Sequence, residues 1–312
     1  MRLAIPRAAA VALALASALL LALIAPHIDA SARTAPVIPA TSPAAPVERE
    51  PAPPPAADLL LLRDRMAAAI DAYWAPGRYA VAVTDLQTGE TVSVNGDRLQ
   101  LSGCVINLFA LLHSVRDVWG ARYPQDAVES LIAATIWSSN PHTARELYRL
   151  IGDGDVVEGV RRVEAYARED LGLSGVILDH PPAYSESIGI NPDNWVTADA
   201  MNAALTALWR HEAIPEPSWR EFLLYHMTQV KPGLNYLTAV TPALVSHKNG
   251  FLPASTGYVD NDVAIVRFDA RDGERAYAIT FLSEGVANEY DDIPLGQQLT
   301  YMAYEAMTTR YR

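Results

Sequence analysis

Three short runs hold side chains suited to moving an acyl group: Cys104-Val105-Ile106-Asn107, Ser138-Ser139-Asn140 and His247-Lys248-Asn249-Gly250. Acyl transfer from an amide needs a nucleophile, a base that takes its proton, a donor for the leaving nitrogen and an oxyanion hole. A substrate carboxylate also needs a cation. Cys104 is a nucleophile by type, and its thiolate is favoured near a helix start and near a lysine. Asn107 lies three residues on, so the two share a face if the run is helical. A carboxamide, however, takes no proton at neutral pH in the way a neutral lysine does. Lys248 can neutralise a carboxylate as a point charge. Asn249 can donate a hydrogen bond, and Gly250 lets a ligand come close to the backbone.

In order and spacing the three runs resemble the S-x-x-K, S-D-N and K-T-G motifs of class A β-lactamases and penicillin-binding proteins, within the serine hydrolase superfamily. Cys104 stands where that family keeps its nucleophilic serine, and Asn107 where it keeps the motif lysine. The flanks set the register: Gly103 before, Val105-Ile106 between, and the apolar run Leu108–Leu112 after. Moving the nucleophile to Ser102 would put Val105 at the lysine position, which leaves Ser102 as a candidate helix cap. The resemblance implies that Ser138 relays a proton to the leaving nitrogen, and that Asn140 bonds a substrate amide or residue 107. Ser139 replaces the family's Asp, and Asn249 its Thr or Ser. The deacylating Glu of class A enzymes would lie on the loop after the helical lobe. Glu186 is the acidic residue there, but its spacing to Asn191 and Asn194 departs from the family pattern.

The residues also have plainer readings. Cys104 is a nucleophile, or one half of a Cys–His pair with His142 or His247, or an inert buried thiol. Ser138-Ser139-Asn140 is by itself a polar turn between helices. Lys248 on its own is a surface lysine on a hairpin strand, and Glu186 a solvated loop carboxylate.

The positioning elements follow from periodicity. Asp58 to Tyr73 carries apolar residues at helical spacing, with Asp58 a candidate cap. Tyr79–Thr84 and Thr91–Asn95 flank the turn Leu86–Glu90 as a hairpin. Cys104 to Trp119 is a buried helix, and Gln125 to Trp209 is mostly helical, with Thr197 opening a helix as its N-cap. Ala243–His247 leads into the lysine motif. Asp262–Phe268 and Ala276–Leu282 read as strands joined at Arg271-Asp272-Gly273, and Ile293–Thr309 closes as a helix. Strands at both ends and helices between predict an α+β (mixed α/β) fold: one antiparallel sheet built from both ends of the domain, flanking helices, and an inserted all-helical lobe. The boundaries are 58–312 for the domain, with sheet parts 58–103 and 235–312 and the lobe at 104–234. The β-lactamase resemblance, which spans nearly all of it, implies the same architecture.

Upstream, Arg2 and Arg7, the apolar run Ala8–Ala25 and Ala30-Ser31-Ala32 read as an export signal over 1–32, or as an uncleaved anchor near the lower spanning length of about 17 residues. Residues 33–57 are rich in Pro and Ala and form an extended or disordered linker. This places the protein outside the cytoplasm, secreted or held at the cell envelope, with membrane contact only through an uncleaved N-terminal segment.

The net charge of −12 argues against a nucleic-acid partner. No ligand cluster for a metal and no phosphate-cradling loop is present in the sequence, so no cofactor is expected. With both serine and lysine replaced, the expected function is binding of a small-molecule or cell-wall-derived ligand, or of a protein partner, in a cleft between the lobes. That cleft would be lined by Cys104, Asn107, Ser138, Asn140 and Lys248, with Asn249 and Gly250. A Cys104 hydrolase acting on an amide or ester, and a structural module with a filled cleft, stay open as alternatives.

Overall fold

The computed structural model describes residues 53–182, 193–234 and 237–312. The export segment, most of the Pro/Ala-rich linker, Glu186 and Asn191 lie outside the described residues. Helix α1 runs Ala57–Asp71, followed by β1 (Arg78–Asp85), β2 (Thr91–Val94) and the short β3 (Gln100–Leu101). A single 3-10 turn, Gly103–Ile106, leads directly into α2 (Asn107–Trp119). Helices α3 (Gln125–Ser138), α4 (Pro141–Ile151) and α5 (Val156–Ala165) follow. Next come β4 (Val176–Ile177), β5 (Trp195–Val196), α6 (Ala198–Trp209) and α7 (Pro217–Met227). The chain closes with β6 (Leu244–Ala254), β7 (Gly257–Ala270), β8 (Gly273–Glu284) and α8 (Ile293–Arg310). No helix among the described residues is long and apolar enough to cross a membrane.

The main sheet has the order β2-β1-β8-β7-β6, and its neighbours are antiparallel throughout. Its central pairing joins the two ends of the domain, with Arg78 opposite Glu284 and Asp85 opposite Tyr277. Successive strand side chains point to opposite faces, and here that alternation splits the apolar residues between two cores. Tyr79, Val81 and Val83 face a core with α1 and α8, while Ala80 and Ala82 face the larger core of the helical lobe. The alanines let α6 lie close against β1 and β8. There Asn202 donates to Thr84 Oγ1 at 2.6 Å and accepts from Thr280 at 3.2 Å.

Three local expectations change. Asp58 does not cap α1: Ala56 occupies the cap position, and Asp58 in the first turn pairs with Arg310 at 2.9 Å. Ser102 does not cap the next helix either, since its hydroxyl donates to the Gly103 carbonyl at 3.0 Å. The helix expected from Cys104 begins as the tighter 3-10 turn and becomes α-helical only at Asn107. Thr197 caps α6 as expected, accepting from the Ala200 N–H at 3.1 Å.

Candidate active site

The segment entering Cys104 is held from several sides. The Leu101 N–H donates to Glu284 Oε2 at 3.0 Å, and the Ser102 N–H to the Asn194 carbonyl at 3.0 Å. Asn261 on β7 donates from Nδ2 to the carbonyls of Leu101 and Ser102 at 2.8 and 3.0 Å, while its Oδ1 accepts the Ser283 N–H. The chain then turns at Gly103, whose φ of +51° suits a residue without Cβ. Cys104 is the second residue of the 3-10 turn and is only half-buried. This contradicts the inert-thiol reading in one respect: the residue is not enclosed.

Gly250 packs against this turn. A Cβ there would fall 2.7 Å from the Cys104 nitrogen and 2.6 Å from the Val105 nitrogen. The space expected to admit a ligand at Gly250 is occupied by the Cys104 turn itself. Glycine is required so that β6 can lie against that turn.

Lys248 is fully buried, contrary to the surface-lysine reading. Its Nζ donates to Ser139 Oγ, and to the Asn249 carbonyl at 2.5 Å. No carboxylate of the described residues pairs with it. Burial therefore pushes its pKa below the ordinary lysine value, and the nearby charges of Cys104 and Asp262 partly oppose that shift. Asp262 is itself engaged: His247 Nδ1 lies 2.9 Å from Oδ1, and Thr238 donates its N–H and hydroxyl to Oδ2. His247 is thus turned to Asp262, and His142 sits in the exposed first turn of α4.

The serine pair is shifted relative to expectation. Ser138 is the last residue of α3, and its hydroxyl points back to the Ala134 carbonyl at 3.4 Å. Ser139 is left-handed, at φ 50° and ψ 39°, and presents its hydroxyl to Lys248 and to Asn249 Oδ1 at 3.3 Å. Asn140 is drawn off as the N-cap of α4: its Oδ1 accepts from His142 and Thr143 N–H at 2.9 and 3.4 Å. A signal for this lay in the sequence, because Asn followed by Pro141 is an N-cap and first-turn signature.

Asn107 is buried at the start of α2, and among the described residues neither its Oδ1 nor its Nδ2 has a partner. The Tyr148 hydroxyl on α4 is likewise buried and unpartnered. Burial raises the Tyr148 pKa well above its usual value, and the charge of Cys104 adds to the rise. Each orphan group of this kind costs about 1–3 kcal/mol. The sequence reading missed Tyr148 and Asn261 and gave Ser139 no role of its own; only the packing brings them to Cys104 and Lys248. Among the described residues, no group of three His, Cys, Asp or Glu side chains is arranged to hold a metal ion.

Residues 121–307 match the sequence profile of the Beta-lactamase enzyme family, which is more than half of the chain. The chain belongs to the β-lactamase enzyme family. Solved structures agree on the fold. A representative class A β-lactamase from Bacteroides cellulosilyticus superposes with a TM-score of 0.68 at 17% identity, covering 82% of this chain and 100% of that one. A β-lactamase from Chitinophaga pinensis gives 0.66 at 19%, covering 79% and 99%. The TLA-1 extended-spectrum β-lactamase gives 0.67 at 15%, covering 80% and 98%. No curated protein matches the sequence significantly. At these identities the structural likeness speaks to the β-lactamase fold and not to the reaction.

Proposed function

We propose that this β-lactamase-family protein, exported to the cell envelope or beyond it, binds a carboxylate-bearing ligand of cell-wall type and does not run the serine acyl-enzyme cycle. One observation carries the reading: Asn107, buried and without hydrogen-bond partners among the described residues, occupies the place one turn after Cys104 where a base would be needed. A carboxamide cannot take a proton there. Binding has support of its own. The Lys248 ammonium is buried without a counter-carboxylate among the described residues, and an anionic ligand group would supply one. The hydroxyl of Ser139 and the carboxamide of Asn249 stand beside it for hydrogen bonding.

The test pairs turnover with binding. Hydrolysis of a chromogenic cephalosporin should stay at the uncatalysed rate, while equilibrium dialysis with a β-lactam or a muropeptide fragment finds saturable retention. Steady multiple turnover by the purified chain would refute the binding role. Pairing Cys104→Ser with Asn107→Lys should introduce acylation by a fluorescent penicillin if the rest of the site is intact.

A further inference from the structure

Cys104 is the chain's single cysteine, and reversible binding gives no role to three features of its surroundings. First, the residue is half-exposed on a turn fixed by Asn261, Glu284 and the Asn194 carbonyl, so a small solute reaches it on a set backbone. Second, the Asn107 N–H donates to the Cys104 carbonyl and closes the 3-10 turn. Side chains three residues apart eclipse in that geometry, so the Asn107 carboxamide lies along the Cys104 side chain. This carboxamide is buried, and among the described residues neither its donor nor its acceptor is engaged. Third, β6 lies against the turn at Gly250, and Lys248, two residues back, projects from the same strand face.

We propose that Cys104 is an oxidant-responsive site, converted by a small hydroperoxide to a sulfenic acid that the Asn107 carboxamide holds. The sulfur lone pair attacks one peroxide oxygen, and the S–O bond forms as the O–O bond breaks. The departing oxygen takes the thiol proton and leaves as water, or as an alcohol from an alkyl hydroperoxide. Sulfur gives up two electrons, and the peroxide is reduced by them. The new oxygen needs a donor when ionised, and its hydrogen needs an acceptor when neutral; a carboxamide supplies both. The ionised form also brings a negative charge to the face of the turn that Lys248 shares. A sulfenic acid ordinarily condenses with a second thiol, and this chain has none, so the oxidised state persists until an external thiol reduces it. The step needs no bound ligand, so it stands or falls apart from the binding reading above.

The test exposes the full chain to excess hydrogen peroxide and traps samples with dimedone at increasing times. Peptide mass spectrometry reads sulfenic acid at Cys104 as the dimedone adduct, and over-oxidation as further oxygens on the sulfur. A single adduct is expected in the parent and none in Cys104→Ala. The trappable state should outlast that of the guanidinium-unfolded chain by about tenfold, the worth of a hydrogen bond to a charged group. Asn107→Leu should shorten it by a similar factor, while iodoacetamide alkylates Cys104 in that variant at the parent's rate. The alkylation control separates loss of the hydrogen bonds from a change in exposure. An adduct never seen in the parent, or one lost as fast as in the unfolded chain, overturns the proposal, and this comparison holds even if Asn107→Leu does not fold. An unchanged lifetime in folded Asn107→Leu overturns the assignment of the stabilising group.

Discussion

At the scale of single residues, the site is defined by polar groups buried without their usual partners. Asn107 carries two such atoms, so replacing it by the nearly isosteric Leu should leave stability unchanged or raise it by about 1 kcal/mol, read from urea denaturation. Lys248 gives a signature in alkali. Its folded pKa lies below the ordinary lysine value, so between the two the unfolded chain binds more protons, and stability rises with pH across that window. Lys248→Met should remove this rise, measured as the difference between the two proteins' melting curves from neutral to alkaline pH.

Asp292 shows the opposite slope. Burial holds its carboxyl above the usual range, against hydrogen bonds from Ser283, its own backbone and Asp260. Its contribution is full below the ordinary carboxylate value of about 3.9 and is lost as pH rises through the folded value. The neutral isostere in Asp292→Asn should flatten the dependence of Tm on pH above that point. A steeper dependence in the variant would show that the buried carboxyl is not the cause.

At the scale of elements, the sheet and its hairpins were legible because short apolar, β-favouring runs stand between turn signals, as in Tyr79–Thr84 and Ala276–Leu282. The long helix after residue 104 was legible from its near-continuous apolar run, which marks a helix buried on most faces. The 3-10 turn at its start was not. It depends on Gly103 at positive φ and on clamps from Asn261 and Glu284, which are distant in sequence and carry no local signal. The register of Ser138, Ser139 and Asn140 turned on where α3 stops, and helix ends are the least determined part of a periodic pattern.

Strand β6 and the Cys104 turn touch through Gly250, and this contact makes its own prediction. Gly250→Ala would drive a methyl against two backbone nitrogens. It should cost about 2 kcal/mol and change the alkylation rate of Cys104, a residue whose side chain it does not replace.

At the scale of the whole molecule, the two ends of the folded chain are joined by charge. Arg310, near the end of α8, reaches Asp58 on α1, Asp85 at the end of β1 and Glu90 beside β2; the Asp58 and Asp85 contacts are 2.9 and 3.0 Å. Asp85 and Glu90 are buried, so Arg310→Met strands two carboxylates and should lower stability by about 3 kcal/mol, seen in chemical denaturation.

The same clasp has a consequence for connectivity. Because α1 and α8 pack together and are pinned at Asp58 and Arg310, a short linker closing the chain there spans little distance. New ends opened at the exposed turn Arg271-Asp272 would then place β8, α8, α1 and β1 in one continuous run. The pairing of β1 with β8, which in the natural order must wait for nearly the entire domain to be made, would become local. Such a circular permutant should reach its native state faster than its parent.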